Sequence, residues 1–427
     1  MRSLLFSRSF FLLWQGQLVS QLGGQAFLVA TMYWTMETTG SASFIGIVMM
    51  LSTLPMVVLG PFGGTLADWY SRKTIIIASD VICGISVLSL AGLMFFFPEA
   101  PAAGFLCLCV VTAIVGCVRA FFQPAISAAI PDLVDAERMP AANSMMQFSA
   151  QASTFVGQGL GGMLYRLLGA PALFLIDGLT YLLSALSEAF IELPVVERKP
   201  AASPRAAFAA FWADTKAGFE YVWQNRGMRF LLLTSSSINF FVVPVFVLLP
   251  FYAEDHLGAG AAWYGFLLAA LSGGAILGYI AGGVVPRGGR SRGALLIGSF
   301  LGVAVLIGAL GFTSSRFTAL GLLIAIGVLS GLINVHAITL FQTRSLPALR
   351  GRVMSLVITL ATAVAPLGML LGGILGDATG KNLPLIYGTC GAGAAIVLIA
   401  ASSSTAFRSF LAAPLRPPGT EQTAATS

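Results

Sequence analysis

Charge is what this chain has least of. Only 9% of its 427 residues are Asp, Glu, Lys or Arg, against about 25% in an ordinary soluble domain. Hydrophobic residues make up 57% and the mean hydropathy is +0.88. That leaves too little polar surface to cover a soluble protein of this size, and implies a polytopic membrane protein. Histidine is nearly missing: His256 and His336 lie far apart, so no zinc constellation is visible. The five cysteines (Cys83, Cys107, Cys109, Cys117 and Cys390) fall inside apolar runs without a CxxC pair. They read as small buried hydrophobes, and neither a metal nor a cofactor is expected. No GxxxxGK[ST] phosphate loop occurs, which excludes ATP as the driving force. Short alternating segments, the mark of a membrane barrel, are also lacking. The net charge of +6 does not indicate nucleic acid, because its carriers sit in short loops between apolar runs.

What is present is a series of long apolar stretches. Twelve of them reach the roughly 20 residues a spanning helix needs: 10–36, 43–64, 74–97, 103–128, 142–168, 171–191, 229–252, 263–285, 294–313, 317–342, 353–376 and 383–404. The expected fold is all-α, with twelve transmembrane helices in two six-helix bundles. The first stretch is longer than a signal-peptide core and lacks a cleavage site, so it reads as an uncleaved helix. With a cytoplasmic N-terminus, 19 of the 23 Lys and Arg fall on the inner side, which places both termini in the cytoplasm of a plasma-membrane protein. The N-terminal bundle covers 1–191 and the C-terminal bundle 229–404. Between them, 192–228 begins Pro-rich and continues with aromatics at helical spacing beside charges, as an amphipathic helix on the membrane surface would. The polar tail 405–427 is expected to be disordered.

An internal repeat supports the division. Gly157-Gln158-Gly159-Leu160-Gly161-Gly162 in the fifth span matches Gly368-Met369-Leu370-Leu371-Gly372-Gly373 in the eleventh at a constant offset of 211 residues. Two similar six-helix halves are a transporter architecture, and the small residues suit close helix packing.

The charged island Gly64-Thr65-Leu66-Ala67-Asp68-Trp69-Tyr70-Ser71-Arg72-Lys73 resembles the signature loop between the second and third helices of the major facilitator superfamily. Trp69 replaces the usual basic residue and Ser71 the usual glycine. Leu13-Trp14-Gln15-Gly16-Gln17, Phe122-Gln123-Pro124-Ala125, Ile130-Pro131-Asp132-Leu133-Val134 and Arg352-Val353-Met354-Ser355 resemble the branch of macrolide-efflux and siderophore-export permeases. The resemblance implies a secondary transporter, with spans 1, 4, 7 and 10 around a central cavity. It also implies an inner gate at Gly64, Asp68, Arg72 and Lys73, in which Asp68 meets the start of the eleventh span. Drug antiporters of this kind carry a proline in the fifth span where Gln158 stands here, a departure that bears on antiport.

Charges at membrane depth cost about 2.5–3.5 kcal/mol each at a helix centre, so Asp80, Arg119 and Asp177 need partners or water. Asp80 and Arg119 are expected at similar depth on neighbouring spans, as a structural ion pair or as a pair that breaks when Asp80 takes a proton. Asp177 is either a proton carrier or a hydrogen-bonded structural acid. Glu188 is expected to reach the interface. Gln17, Gln21 and Gln25 share one helical face, and with Gln123, Asn239, Asn334 and His336 they are cavity-lining candidates; interhelical hydrogen bonding is the alternative for each.

The expected function is proton-coupled efflux of an amphiphilic or hydrophobic small molecule by a monomeric transporter, with a siderophore-like metabolite or a lipid as the alternative cargo. A membrane prenyltransferase could be read from Asp132-x-x-Asp135, but it lacks the second acidic cluster that such chemistry needs. The chain is therefore not expected to be an enzyme.

Overall fold

The computed structural model describes residues 7–192, 204–284, 289–346 and 349–412, without the side chains of 61–69, 136, 204–211 and 214. Its helices are α1 (Arg8–Thr39), α2 (Ala42–Trp69), α3 (Arg72–Phe96), α4 (Pro101–Leu133), α5 (Met139–Ala189), α6 (Pro204–Gln224), α7 (Arg226–Val247) and the single turn α8 (Leu249–Phe251). There follow α9 (Gly260–Val284), α10 (Gly289–Gly311), α11 (Arg316–Arg344), α12 (Arg350–Ala363), α13 (Ala365–Ala378), α14 (Leu383–Ser403) and α15 (Thr405–Ala412). No strand forms among the described residues. Ten helical stretches there are long and apolar enough to cross a membrane.

Local chemistry sets the boundaries. Ser7 caps α1 by accepting the Phe10 N–H at 3.1 Å, and Gly40 ends that helix in the left-handed conformation at φ 63°. At 1.5 Å per residue, the 51 residues of α5 run to roughly 76 Å, more than twice a hydrocarbon core of about 30 Å. The chain folds back at Gly169, whose φ of 76° and ψ of 172° leave the helix just before Pro171, a residue with no N–H to continue it. The expected spans 142–168 and 171–191 therefore both lie on α5. The expected span 353–376 is divided at Val364, two residues before Pro366, into α12 and α13.

The glycine repeat orders the packing. A Cβ on Gly161 would lie 3.2 Å from Ala26 Cα of α1, and one on Gly372 would lie 2.7 Å from Pro244 Cα of α7. Gly157 and Gly368 face α1 and α7 in the same way. One residue on, the faces turn outward: Gly162 abuts the Ala261 carbonyl and Gly265 of α9, while Gly373 abuts the Ala42 carbonyl of α2. Gly265 in turn approaches the Gln158 carbonyl, and Gly46 approaches the carbonyl of Met369, the residue at the 211-residue offset from Gln158. Corresponding helices thus make corresponding contacts, first within a half and then across to the other.

The first eight residues of the tail overturn the expectation of disorder. Thr405–Ala412 forms α15, which buries Phe407 and Leu411 completely, and Arg292 Nη2 donates to the Leu411 carbonyl at 3.4 Å. Two apolar residues four apart give the tail one face worth burying, a spacing that its polar composition conceals. Residues 413–427 lie outside the described part. Within 192–228 the described helix is α6, with Trp212, Phe219 and Trp223 exposed and Val222 buried.

A test of the repeat contact is Gly372→Val. The added methyls meet the Pro244 backbone, which has nowhere to move, and should lower stability by about 1–3 kcal/mol. A melting temperature unchanged from wild type in detergent would show that the α13–α7 approach is looser than described.

Candidate functional site

The second half of α5 carries Asp177, Tyr181, Ser184 and Glu188 at spacings of three and four, and hence on one face. α1 lies directly over this face. A Cβ on Gly23 would stand 2.7 Å from Asp177 Oδ1 and 2.4 Å from Thr180 Oγ1, and one on Gly16 would stand 3.0 Å from Ser184 Oγ. Only glycine at both positions allows so close an approach. The result is deep burial: Asp177 is 1% exposed, Asp80 2% and Glu188 0%. Gln17 Nε2 donates to Glu188 Oε1 at 2.9 Å, and the Ser184 hydroxyl lies 3.4 Å from the same oxygen. Asp80, from α3, sits beside Ser184 and Glu188. One oxygen of each acid (Asp80 Oδ2, Asp177 Oδ1 and Glu188 Oε2) has no hydrogen-bonding partner.

Two expectations are corrected here. Glu188 does not reach the interface, because α1 and α3 close over it. Asp80 and Arg119 form no ion pair within 4 Å. Arg119 instead turns toward Tyr181 and Asp177, and Asp80 turns toward Ser184 and Glu188, one to two turns further along α5. Arg119 and Asp177 border a cavity of about 80 Å³, shared with Gly24, Gln25, Thr31 and Thr112. That is room for a handful of water molecules.

The amide candidates separate. Gln25 borders the cavity and accepts from Gln158 Nε2 at 3.0 Å. Gln158 Oε1 in turn accepts from Ser272 of α9 at 2.9 Å, so the residue in place of the usual proline bridges two halves of the chain. Gln17 is taken up by Glu188, and Gln21 is half-buried with Oε1 unpartnered. Asn239 donates to the Ala361 carbonyl at 2.9 Å, which ties α7 to α12. Gln123 and Asn334 are exposed on α4 and α11, and His336 is buried. Among the described residues no group of three or more His, Cys, Asp or Glu is placed to hold a metal ion.

In the signature turn, Arg72 Nη1 bonds Asp132 Oδ2 at 2.5 Å and the Ala128 carbonyl at 2.7 Å, tying α3 to α4. Lys73 borders a small crevice whose other walls include Leu13, Leu133, Ile191 and Glu188. Gly64 and Asp68 lie where side chains are not described. At the other end of the bundle, contacts run between the halves. Asp377, at the end of α13, accepts from Ser41 Oγ at 2.5 Å, from Ala42 N–H at 2.8 Å and from Ser43 N–H at 2.9 Å, so a carboxylate caps the exposed amides that open α2. The Tyr33 hydroxyl donates to Glu254, the Tyr165 hydroxyl donates to Glu37, and the Tyr33 ring packs on Tyr165 and Tyr264.

The pairs Tyr33–Glu254 and Asp377–Ala42 are invisible in the sequence, since 221 and 335 positions separate the partners. Glu188 gave a usable signal: it shares a helical face with Asp177, and Gly16 and Gly23 are spaced to cover that face.

The family model of the Major Facilitator Superfamily matches residues 13–368. Macrolide efflux protein A of Streptococcus pyogenes is 26% identical over 379 residues, which cover 87% of this chain and 90% of the relative. Multidrug efflux pump Tap of Mycolicibacterium fortuitum is 27% identical over 374 residues, 86% of this chain and 88% of the relative. Among solved structures, an inward-facing bacterial homologue of the iron transporter ferroportin superposes with a TM-score of 0.70 at 18% identity, covering 93% of this chain and 99% of that one. An inward-facing, unoccupied bacterial homologue of the human lysosomal transporter Spinster gives 0.68 at 15%, covering 95% and 96%. These two likenesses bear on the fold alone.

The arrangement around Arg119 predicts non-additivity. Arg119→Ala removes a cation beside the buried Asp177 and should destabilise the fold, whereas adding Asp177→Asn should restore part of the loss, a coupling of about 0.5–3 kcal/mol. Thermal melts of the two single variants and the double variant measure this, and additive effects would show that the two groups do not interact.

Proposed function

Because the chain belongs to the Major Facilitator Superfamily, we propose that it exports an amphiphilic or hydrophobic small molecule by alternating access, driven by inward flow of protons. It is a multi-pass transporter of the bacterial plasma membrane and not an enzyme. In this reading it is a monomer crosses the bilayer twelve times with both termini in the cytoplasm, as the placement of 19 of the 23 Lys and Arg favours. Residues 1–191 and 229–404 act as two bundles that rock about a central site, and 192–228 joins them on the inner surface. In that orientation the Asp377 and Tyr33–Glu254 contacts close the outer end. The exposed Gln123 and Asn334, polar side chains within apolar helices, line the path open to the cytoplasm.

The observation that carries proton coupling is the set of three carboxyl groups sealed inside one bundle, each with an oxygen that no protein donor reaches. Ionised and unpaired, such groups are among the most expensive things a protein can bury. A transporter that binds and releases protons at them gains a use for that expense. Arg119 beside Asp177 suits an exchange in which the proton and the guanidinium alternate as the partner of the acid. Asp68 would serve the opposite phase of the cycle: when the outer end opens, its carboxylate latches the end of α2 to the start of α12 on the inner side.

The direct test is accumulation of erythromycin and a panel of amphiphilic cations in an exporter-deficient host, with and without a protonophore. Expression should lower accumulation of at least one compound, and the protonophore should abolish the effect; accumulation unchanged across the panel would overturn export, and protonophore-insensitive efflux would overturn proton coupling. The outer seal has its own readout. Asp377→Ala removes three hydrogen bonds, about 0.5–2 kcal/mol by analogy with helix caps, and so should shift the protein toward the outward-open state. A cysteine replacing the cavity residue Thr31 should then react several-fold faster with an impermeant maleimide added outside. An unchanged rate would mean that Asp377 does not hold the outer end shut.

A further inference from the structure

Glu188 is one of the three buried acids, and its placement sets it apart from the other two. It is fully buried at the end of α5 nearest the signature turn, and it forms part of the wall of the crevice that Lys73, at the start of α3, also borders. Behind it lie Asp80 and Ser184, then Tyr181 and Cys83, and then Asp177 with Arg119 and the cavity they border. These groups follow one another along one face of α5. From Asp177 to Glu188 the helix rises by about 16 Å, roughly half the hydrocarbon thickness, so no single transfer could join them. Asp80 and Ser184 occupy the interval.

We propose that Glu188 and Asp80 form the inner station through which protons leave the transporter, connecting Asp177 to cytoplasmic water at the Lys73 crevice. This rests on the proton-coupled reading above and adds the route, which runs inside the N-terminal bundle rather than through the substrate path. The chemistry of the pair supports it. Two facing carboxylates offer each other only acceptors, whereas one proton between them turns the contact into a hydrogen bond. The pair can therefore hold one proton and remain stable without a cation. The groups that face it are Gln17 from α1, Lys73 from α3 at the crevice mouth, and Ser184 from its own helix. Gln17 donates to Glu188 Oε1, which leaves Oε2 as the oxygen that gains or loses the proton. In each cycle a proton passes from the Asp177 carboxyl to the Asp80–Glu188 pair, and the proton already held there is released from Glu188 to water in the crevice. Nothing is oxidised, and charge is conserved at each step. Lys73 beside the mouth repels the released proton and favours its departure.

Glu188→Gln keeps the shape and the Gln17 contact while removing the titrating group. The first arm uses purified protein reconstituted in vesicles with radiolabelled erythromycin. The variant should retain equilibrium exchange within about twofold of wild type but lose accumulation driven by a pH gradient by about tenfold or more, since only the latter requires net proton movement. Asp80→Asn should behave alike. Wild-type gradient-driven accumulation in Glu188→Gln would overturn the proposal, and so would equal loss of exchange and accumulation, the mark of a merely structural residue. The second arm needs no transported compound. Difference infrared spectra of the reconstituted protein in H₂O and D₂O at neutral pH should show a protonated-carboxyl band that weakens in Glu188→Gln and in Asp80→Asn. Absence of a band sensitive to both variants would overturn the pair. If wild type does not move erythromycin, that choice of cargo fails while the infrared arm still decides the proton station.

Discussion

Close helix approach through glycine is the constraint on which the rest of this structure depends. In lipid there is no hydrophobic force to press helices together, so small residues and short backbone distances must hold them. The glycines of α5 and α13 meet that need twice, at positions 211 residues apart, and each set first binds its own half and then touches the other. The same device on α1, at Gly16 and Gly23, brings its backbone down on Ser184 and Asp177. Burial of the acids follows directly. A side chain at either glycine would hold α1 away and admit lipid or water to the carboxyls.

The two ends of the bundle are held by different chemistry. Near the signature turn, Arg72 and Asp132 join neighbouring helices of one half. At the far end the partners belong to different halves and rely on one tyrosine hydroxyl and on a carboxylate at backbone amides. Neither kind is an apolar plug. Polar contacts can exchange their partners for water when they part.

Much of the architecture was legible in the sequence, because a membrane reduces secondary structure to long apolar runs and because the repeat fixes which helices correspond. The helices that occupy the apolar runs and the glycine repeat at its constant offset could both be read from spacing. That Asp80, Arg119 and Asp177 stand within apolar runs could be read too. Azimuth could not. Whether Arg119 turns to Asp80 or to Asp177 depends on how α3, α4 and α5 are rotated about their axes, which no periodicity in a nearly uniform apolar helix records. Glu188 was misplaced for a related reason: a charge near a helix end ordinarily reaches water, and only the cover supplied by Gly16 and Gln17 of α1 prevents it. The helical α15 was hidden by the polar composition around Phe407 and Leu411.

The bend at Gly169 has one more consequence. It joins two crossings with no loop between them, so the strand of chain that touches α9 at Gly162 and the strand that carries Asp177 are a single jointed lever. Here a tilt of the first arm against the other half is handed to the second arm at once, across one glycine and a rigid proline. Displacement at the face between the halves and a change in the surroundings of the buried acids are thus the two strokes of one mechanical part.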